Sequence, residues 1–359
     1  MRVYYIGNNY DGCYYVRCLL PMRANGWSGE RTTTRERAVN PQQLFQEAMA
    51  SDVIVFHRPD VPAKVKIIPL LRQAGKVVIF DNDDTYLLNS GNPTRMLSLN
   101  DEQVLNSMNA NLYQNVTNCN AVTTTTDFLR NEYLQFNPNV YVLPNMVDPD
   151  DWEEPMVNTS GKIRIGFVGS VAHNRDYLEV KNLLDILAKR KDVEIVLFAI
   201  PKVDPQTARI RAVLSEEIDF WNQYPHEWQH TVKHYNYNHT LNRLKLDMML
   251  IPRHESYFNK CKSNLKFLEA SMLKIPVIAS SFSDGNSPYD KDFKNDVGIL
   301  CSNEKEWIKE TLALIDSPDR RKQLGENAYN YVLENYNIET KGHLWDDIYQ
   351  KYYDSNKSN

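Results

Sequence analysis

The feature that most constrains this chain is an alternation of short apolar runs with helical stretches that runs once, stops, and starts again. In the first half, Val3–Ile6 reads as a strand, with Gly7–Gly12 as a glycine-containing loop and a helix from about Tyr14 to Asn25. Asp52–His57 and Lys76–Asp81 read as buried strands, with a helix over Ala63–Ala74 that ends at Gly75. Ala121–Thr125 and Asn139–Leu143 are two further strands. Pro144, Pro149 and Pro155, interleaved with Asp148, Asp150 and Asp151, form a turn-rich connector. Then the pattern restarts: a strand over Lys162–Gly169, a helix around Tyr177–Arg190, and strands at Val193–Ala199, Leu246–Ile251 and Val277–Ala279. Strands separated by crossover helices make a parallel sheet, so the chain holds two α/β, Rossmann-like units. Its 359 residues suit two domains of roughly 100–200 residues each. The expected division is 1–150, 161–337, and a terminal segment 338–359. Three helical stretches, Glu304–Leu314, Asp319–Glu334 and Ile338–Tyr353, close the chain. The last carries Trp345, Tyr349, Tyr352 and Tyr353 and is expected either to cross back onto the first domain or to close the second.

Charge narrows the function. A net charge of -5 argues against nucleic acid as the main partner, because nonspecific binding to it comes with a basic face. Cys13, Cys18, Cys119, Cys261 and Cys301 are scattered without a CxxC pair, which indicates neither zinc nor a redox dithiol and suits a reducing compartment. The first residues read as a strand rather than a signal segment, and no apolar run approaches the roughly 20 residues needed to span a bilayer, so a cytoplasmic protein is expected.

The segment Phe258–Ser280 reads as loop, helix, tight turn and strand. Leu265, Leu268 and Met272 share one face at helical spacing, and Ser263 or Asn264 stands where a cap belongs. Free N–H groups at a helix start attract phosphate, and Lys262 adds charge beside them. Glu269 lies too far into the helix to cap it. It reads either as a solvated surface residue or as an acceptor for a pair of ribose hydroxyls.

This segment closely resembles the donor-binding signature of retaining GT-B glycosyltransferases, in the variant form Lys-Ser-x-x-Lys-x-x-Glu. The resemblance implies that Glu269 holds the nucleotide ribose. It also implies that the amides of Asn264, Leu265 and Lys266, with Lys262 and Ser263, hold the diphosphate. The fuller signature has a second Glu, contacting the donor sugar, where this chain has Cys261. Gly166–Ser170 with His173 and Asp176 looks like the family's first donor-domain loop, which makes Gly169 and Ser170 donor-binding candidates; glycine lets a diphosphate approach the backbone. Val142–Asp148 resembles the beginning of the family's hinge. Together these segments cover residues 120 to 340 and imply a GT-B fold, two Rossmann-like domains facing each other across a cleft.

The first domain is then the acceptor side. Asp11, Gly12, Tyr14 and Arg17, in the loop and helix start after the first strand, are acceptor-side candidates. Phe80–Asp84 lies at the C-terminal end of a strand, where ligands gather in open α/β sheets. Its three carboxylates are expected to repel and raise at least one pKa, suiting proton handling or a cation; the alternative is a polar turn capping the next helix. Asp81-Asn82-Asp83 also matches the short metal motif of GT-A enzymes, but the second α/β unit favours GT-B, where no divalent metal is expected to be required.

The catalytic candidates are therefore Asp83, Asp84, His173 and Lys262, with a UDP- or GDP-sugar as donor substrate and no obligatory cofactor. Closure over a hinge near 145–161 would align two substrates and exclude water. Three activities fit. One is a transferase acting on a glycan, a lipid-linked sugar or a small molecule. Another is a phage-type enzyme acting on hydroxymethylated DNA bases, with Arg23, Arg31, Arg35 and Arg37 along a phosphate track. The third is a non-catalytic nucleotide-sugar-binding protein in which Cys261 marks lost activity.

Overall fold

The computed structural model describes residues 1–7, 9–32, 40–58, 62–85, 87, 110, 113–169, 173, 175–200 and 208–358. Two parallel six-stranded sheets form its two halves. The first comprises β1 (Val3–Gly7), β2 (Gly29–Thr32), β3 (Val53–His57), β4 (Val77–Asn82), β5 (Ala121–Thr124) and β6 (Val140–Val142), in the order β2-β1-β3-β4-β5-β6. The second comprises β7 (Ile163–Val168), β8 (Val193–Phe198), β9 (His226–Gln229), β10 (Met248–Ile251), β11 (Val277–Ser280) and β12 (Ile299–Cys301), in the order β12-β11-β10-β7-β8-β9.

Of the strands foreseen from apolar runs, all but the edge strand β6 are inner ones, where helices cover both faces and Val, Ile or Leu is favoured. The three that the pattern missed, β2, β9 and β12, are sheet edges. β2 reads Gly-Glu-Arg-Thr and β9 reads His-Glu-Trp-Gln, so neither has the apolar run of a buried strand.

Strand order reverses between β1 and β3 in the first sheet, and between β7 and β10 in the second. In such sheets ligands bind at the C-terminal strand ends beside this reversal. The chain leaving β1, β3, β7 and β10 therefore supplies the walls of any site.

The helix expected from Tyr14 begins earlier, because the Asp11 carboxylate accepts from Tyr14 N at 2.9 Å and caps Gly12–Tyr14. It continues as a wide π turn over Tyr15–Leu19 and returns to α geometry over Leu20–Ala24. The wide turn leads directly into Pro21, which has no N–H to give the ladder. Gly75 adopts φ +72° and ends the helix Pro62–Gln73 region as expected.

Two chain crossings join the halves, and they lie side by side. Val147 N donates to Tyr336 O at 2.9 Å, and Ile338 N donates to Val147 O at 2.9 Å. Residues beyond Glu153 already belong mechanically to the second half. Asn242 bonds Glu154 O and Met156 N, and Asn158 Nδ2 donates to Asp247 at 2.6 Å.

The terminal helix His343–Lys357 crosses back to the first sheet. Tyr349 stacks on Trp27 at 5.4 Å and shares a 3.1 Å hydrogen bond with Tyr5 in β1. Tyr352 meets Tyr141 of β6, and Asn356 donates to Gly75 O. One buried apolar cluster consequently runs from Val3 and Tyr5 through Trp345, Tyr349 and Tyr336 to Val277 of the second sheet. Among the described residues, no helix is long and apolar enough to cross a membrane.

Candidate active site

A cavity of about 420 Å³ lies between the C-terminal edges of the two sheets. Ligand pockets run to roughly 300–1,000 Å³, so it has room for a nucleotide-sized molecule. Asp11, Gly12, Arg58 and Asp83 line it from the first half, and Asn145, Met146, Val147, Asp148, Asp151 and Trp152 from the crossing segment. Gly169, His173, Arg253, Lys262, Ser263, Leu265, Lys266 and Glu269 line it from the second.

The helix Leu265–Met272 points its start into this space. Neither expected cap forms: Asn264 occupies the cap position without a side-chain bond and donates instead to Asp292 at 2.7 Å, while Ser263 Oγ accepts from Asn145 Nδ2 at 2.8 Å. Phe267 N and Leu268 N both bond Asn264 O, and the N–H groups of Leu265 and Lys266 have no partner among the described residues. These are the donors that a helix start leaves for a ligand or solvent.

Glu269 is not a solvated surface residue; it is 9% exposed and lines the cavity. Its Oε2 accepts from Tyr237 OH at 2.8 Å and Lys266 Nζ at 2.9 Å, which leaves Oε1 without a protein donor among the described residues. Tyr237 is itself held by stacking on Phe198 at 5.2 Å.

Cys261 does not stand in the cavity. It is fully buried in the helix Tyr257–Cys261, packed with the apolar core of the first half, its Sγ 3.9 Å from Glu132. Burial pushes its thiol far up, so it stays neutral.

On the opposite wall, the expected acceptor residues divide. Asp11 and Gly12 line the cavity. Tyr14 and Arg17 lie behind the wall, both fully buried, which corrects their expected exposure to the cleft. Tyr14 covers Gly7, where an added Cβ would stand 2.2 Å from its ring, and donates to Glu30 at 3.0 Å. Arg17 grips Asp81 through two bonds of 3.1 and 2.6 Å.

The acidic cluster is not the self-repelling group its spacing suggested. Each carboxylate has its own cation: Asp81 pairs with Arg17, Asp83 with Arg58 at 2.6 Å, and Asp84 with Lys262 at 2.9 Å. Burial alone would raise the Asp83 carboxyl, but Arg58 and His57 more than offset it and hold it well below the usual range. Asp83 is thus a fixed charge and a weak base, and it faces the cavity, whereas Asp84 spends its carboxylate on Lys262 across the cleft.

His173 lines the cavity beside the β7–β10 reversal. Its Nδ1 sits 3.2 Å from Asp176 and against Arg253 Nη1, and Arg253 also donates to Asp176 at 3.1 Å. Arg253, Arg58 and Tyr237 were absent from the sequence reading. Arg58 and Arg253 follow β3 and β10 by one and two residues, so the strand-end rule applied to every strand would have found them. Arg58 even adopts φ +49°, an uncommon backbone state for a non-glycine residue.

Of the four arginines of the expected DNA track, only Arg23 has a described side chain. Arg23 is bound to Asp148 at 2.8 Å and Asp151 at 2.6 Å. Arg35, Arg37 and the Arg31 side chain lie outside the described residues, as does Ser170.

No protein-family model and no curated protein matches this sequence. Solved structures do match along the whole chain. Sucrose-phosphate synthase from Thermosynechococcus elongatus aligns with a TM-score of 0.65 at 14% identity, over 99% of this chain and 100% of that one. HepE from Anabaena, solved in complex with UDP, aligns at 0.66 and 10% identity over 98% and 100%. A glycosyltransferase from Rickettsia africae ESF-5 aligns at 0.64 and 12% identity over 98% of each chain. At such identities the likeness establishes the fold: two Rossmann-like domains facing each other across a cleft, the GT-B arrangement.

Proposed function

We propose that this chain is a glycosyltransferase that moves a sugar from a nucleoside diphosphate sugar to an acceptor hydroxyl, with retention of anomeric configuration. The observation that carries the reading is the convergence in one interdomain cavity of Glu269, Lys266 and the amides of Leu265 and Lys266, which have no partner among the described residues. A carboxylate with one free oxygen suits a ribose diol, and two amides at a helix start suit a diphosphate. HepE, of the same fold, has been solved with UDP and with UDP-glucose.

In this reading the leaving diphosphate gathers charge in the transition state. The amides at 265 and 266, Lys262, Lys266 and the Gly169 backbone stabilise it. Lys262 meets it by exchanging Asp84 for phosphate. Gly169 suits such contact, because among the described residues a Cβ there would meet only Ile200 at 3.6 Å and His173 at 3.9 Å, so their packing does not demand the glycine. The acceptor approaches from the Asp11, Gly12 and Asp83 wall, with Asp83 orienting the attacking hydroxyl by accepting its hydrogen bond. The 144–152 crossing is the hinge that brings the walls together, and the acceptor is a glycan, a lipid-linked sugar or a small molecule.

The test is a thermal-shift and calorimetric panel of UDP-, GDP- and ADP-sugars, with and without magnesium. One donor should stabilise the protein independently of metal, and Glu269→Ala should weaken its binding by about tenfold or more with the fold intact, since hydrogen bonds to charged groups contribute about 1.5–3 kcal/mol. Equal affinity in Glu269→Ala removes Glu269 from the donor site. With a donor in hand, NMR of the product anomer decides retention.

A further inference from the structure

Arg17 was expected to touch a substrate, but it is 0% exposed and does not line the cavity. Its bonds nevertheless lead there. Nη1 donates to Leu143 O at 2.5 Å and to Asn145 Oδ1 at 3.3 Å. Asn145, 4% exposed, then donates from Nδ2 to Ser263 Oγ at 2.8 Å. Ser263 lines the cavity two residues before the helix Leu265–Met272.

The chemistry of these groups gives the chain a direction. A guanidinium only donates, so the atom of Asn145 facing Arg17 must be the carbonyl oxygen. The amide nitrogen then faces Ser263, and because it too only donates, Ser263 Oγ must accept. The hydroxyl proton is thereby turned away from Asn145, and no acceptor for it lies among the described residues. Arg17 cannot itself turn over, since Asp81 holds it through two nitrogens and Thr123 Oγ1 braces Asp81 at 2.7 Å.

We infer that Arg17 and Asn145 are positioning residues that polarise the Ser263 hydroxyl as a donor toward an anionic oxygen in the cavity. This rests on the donor-site reading above and deepens it. The anion is a phosphate oxygen of the nucleoside diphosphate, and the first domain controls that contact through Arg17 without touching the ligand. The relay crosses the cleft, so Ser263 is set as a donor only while the two halves stand in this arrangement.

A double-mutant cycle on UDP affinity tests it, using the full chain. Asn145→Asp keeps the shape and the bond to Arg17 but offers Ser263 an acceptor, so the hydroxyl turns toward Asn145's position and is lost to the ligand. Ser263→Ala removes the hydroxyl outright. Each single variant should bind UDP about tenfold or more weakly, the worth of one charge-assisted hydrogen bond. The double variant should bind no worse than N145D alone, because both changes remove the same donor; the added negative charge acts in both backgrounds and cancels from the cycle. Losses that multiply would overturn the relay. Should N145D fold poorly by its thermal midpoint, Asn145→Ala takes its place, again with coupling to Ser263→Ala expected and multiplication fatal. If the wild-type chain binds none of UDP, GDP, ADP and pyrophosphate, the donor-site reading itself fails, which is a different outcome from binding without coupling.

Discussion

Two glycines of the same chemical freedom separate structure from site. Gly7 lies under the Tyr14 ring, with 2.2 Å to an added Cβ, so Gly7→Ala should destabilise the fold by about 1–3 kcal/mol in urea titration. Gly169 has ordinary space, so Gly169→Ala should leave the urea midpoint nearly unchanged while weakening nucleotide binding. Equal stability losses would erase that distinction. Glu217 carries a third residue-scale effect. It is 3% exposed, and burial pushes its carboxyl from 4.5 up to about 7. The native state then holds a proton that the unfolded chain releases, so stability from this group is greatest below pH 4.5 and falls as pH rises to about 7. The full drop is roughly 3 kcal/mol. Glu217→Gln should flatten that slope, as read by urea midpoints at pH 5 and pH 8; an unchanged slope would mean the carboxyl is not held protonated.

At the scale of elements, the terminal helix decides how the halves are held. Its pattern of Trp345, Tyr349 and Tyr352 announced a sticky helix but not its partner, since closing the second domain would bury the same face. Tyr5, Trp27 and Tyr141, residues from the other end of the sequence, supply the partners. Trp345 is fully buried with its ring 5.8 Å from the Arg17 guanidinium. Trp345→Ala should cost about 3–5 kcal/mol in chemical denaturation. A loss well below that would place the helix on the surface rather than in the shared core. The edge strands make the same point in reverse: β2 and β9 are polar because an edge has only one neighbour to satisfy, so their sequence carries no strand period to find.

For the whole molecule, the two crossings between the halves pair side by side at Val147 and Ile338, and Val147 also lines the cavity. Closure about this line should reduce the radius of gyration in small-angle scattering when a nucleotide sugar is added; an unchanged radius would mean that the cleft is already closed in the free protein. Much of this architecture was legible beforehand. Apolar periodicity and the proline-rich break determined two parallel α/β units, because local chain propensity and burial of continuous apolar strands act within short windows of sequence. The Phe258–Ser280 segment marked the helix that opens on the cavity for the same reason: its apolar face and glutamate lie within a few turns, although neither expected cap forms. What tertiary structure alone decided are the pairings between distant residues. Asp81, Asp83 and Asp84 looked like one repelling cluster, yet each meets a cation from elsewhere in the chain, Arg17, Arg58 and Lys262. Cys261 looked like a missing sugar contact and is a core residue of the other half. Such partners are brought together by folding across tens to hundreds of residues, and the electrostatics of a buried side chain are set by those neighbours rather than by the residues beside it in sequence.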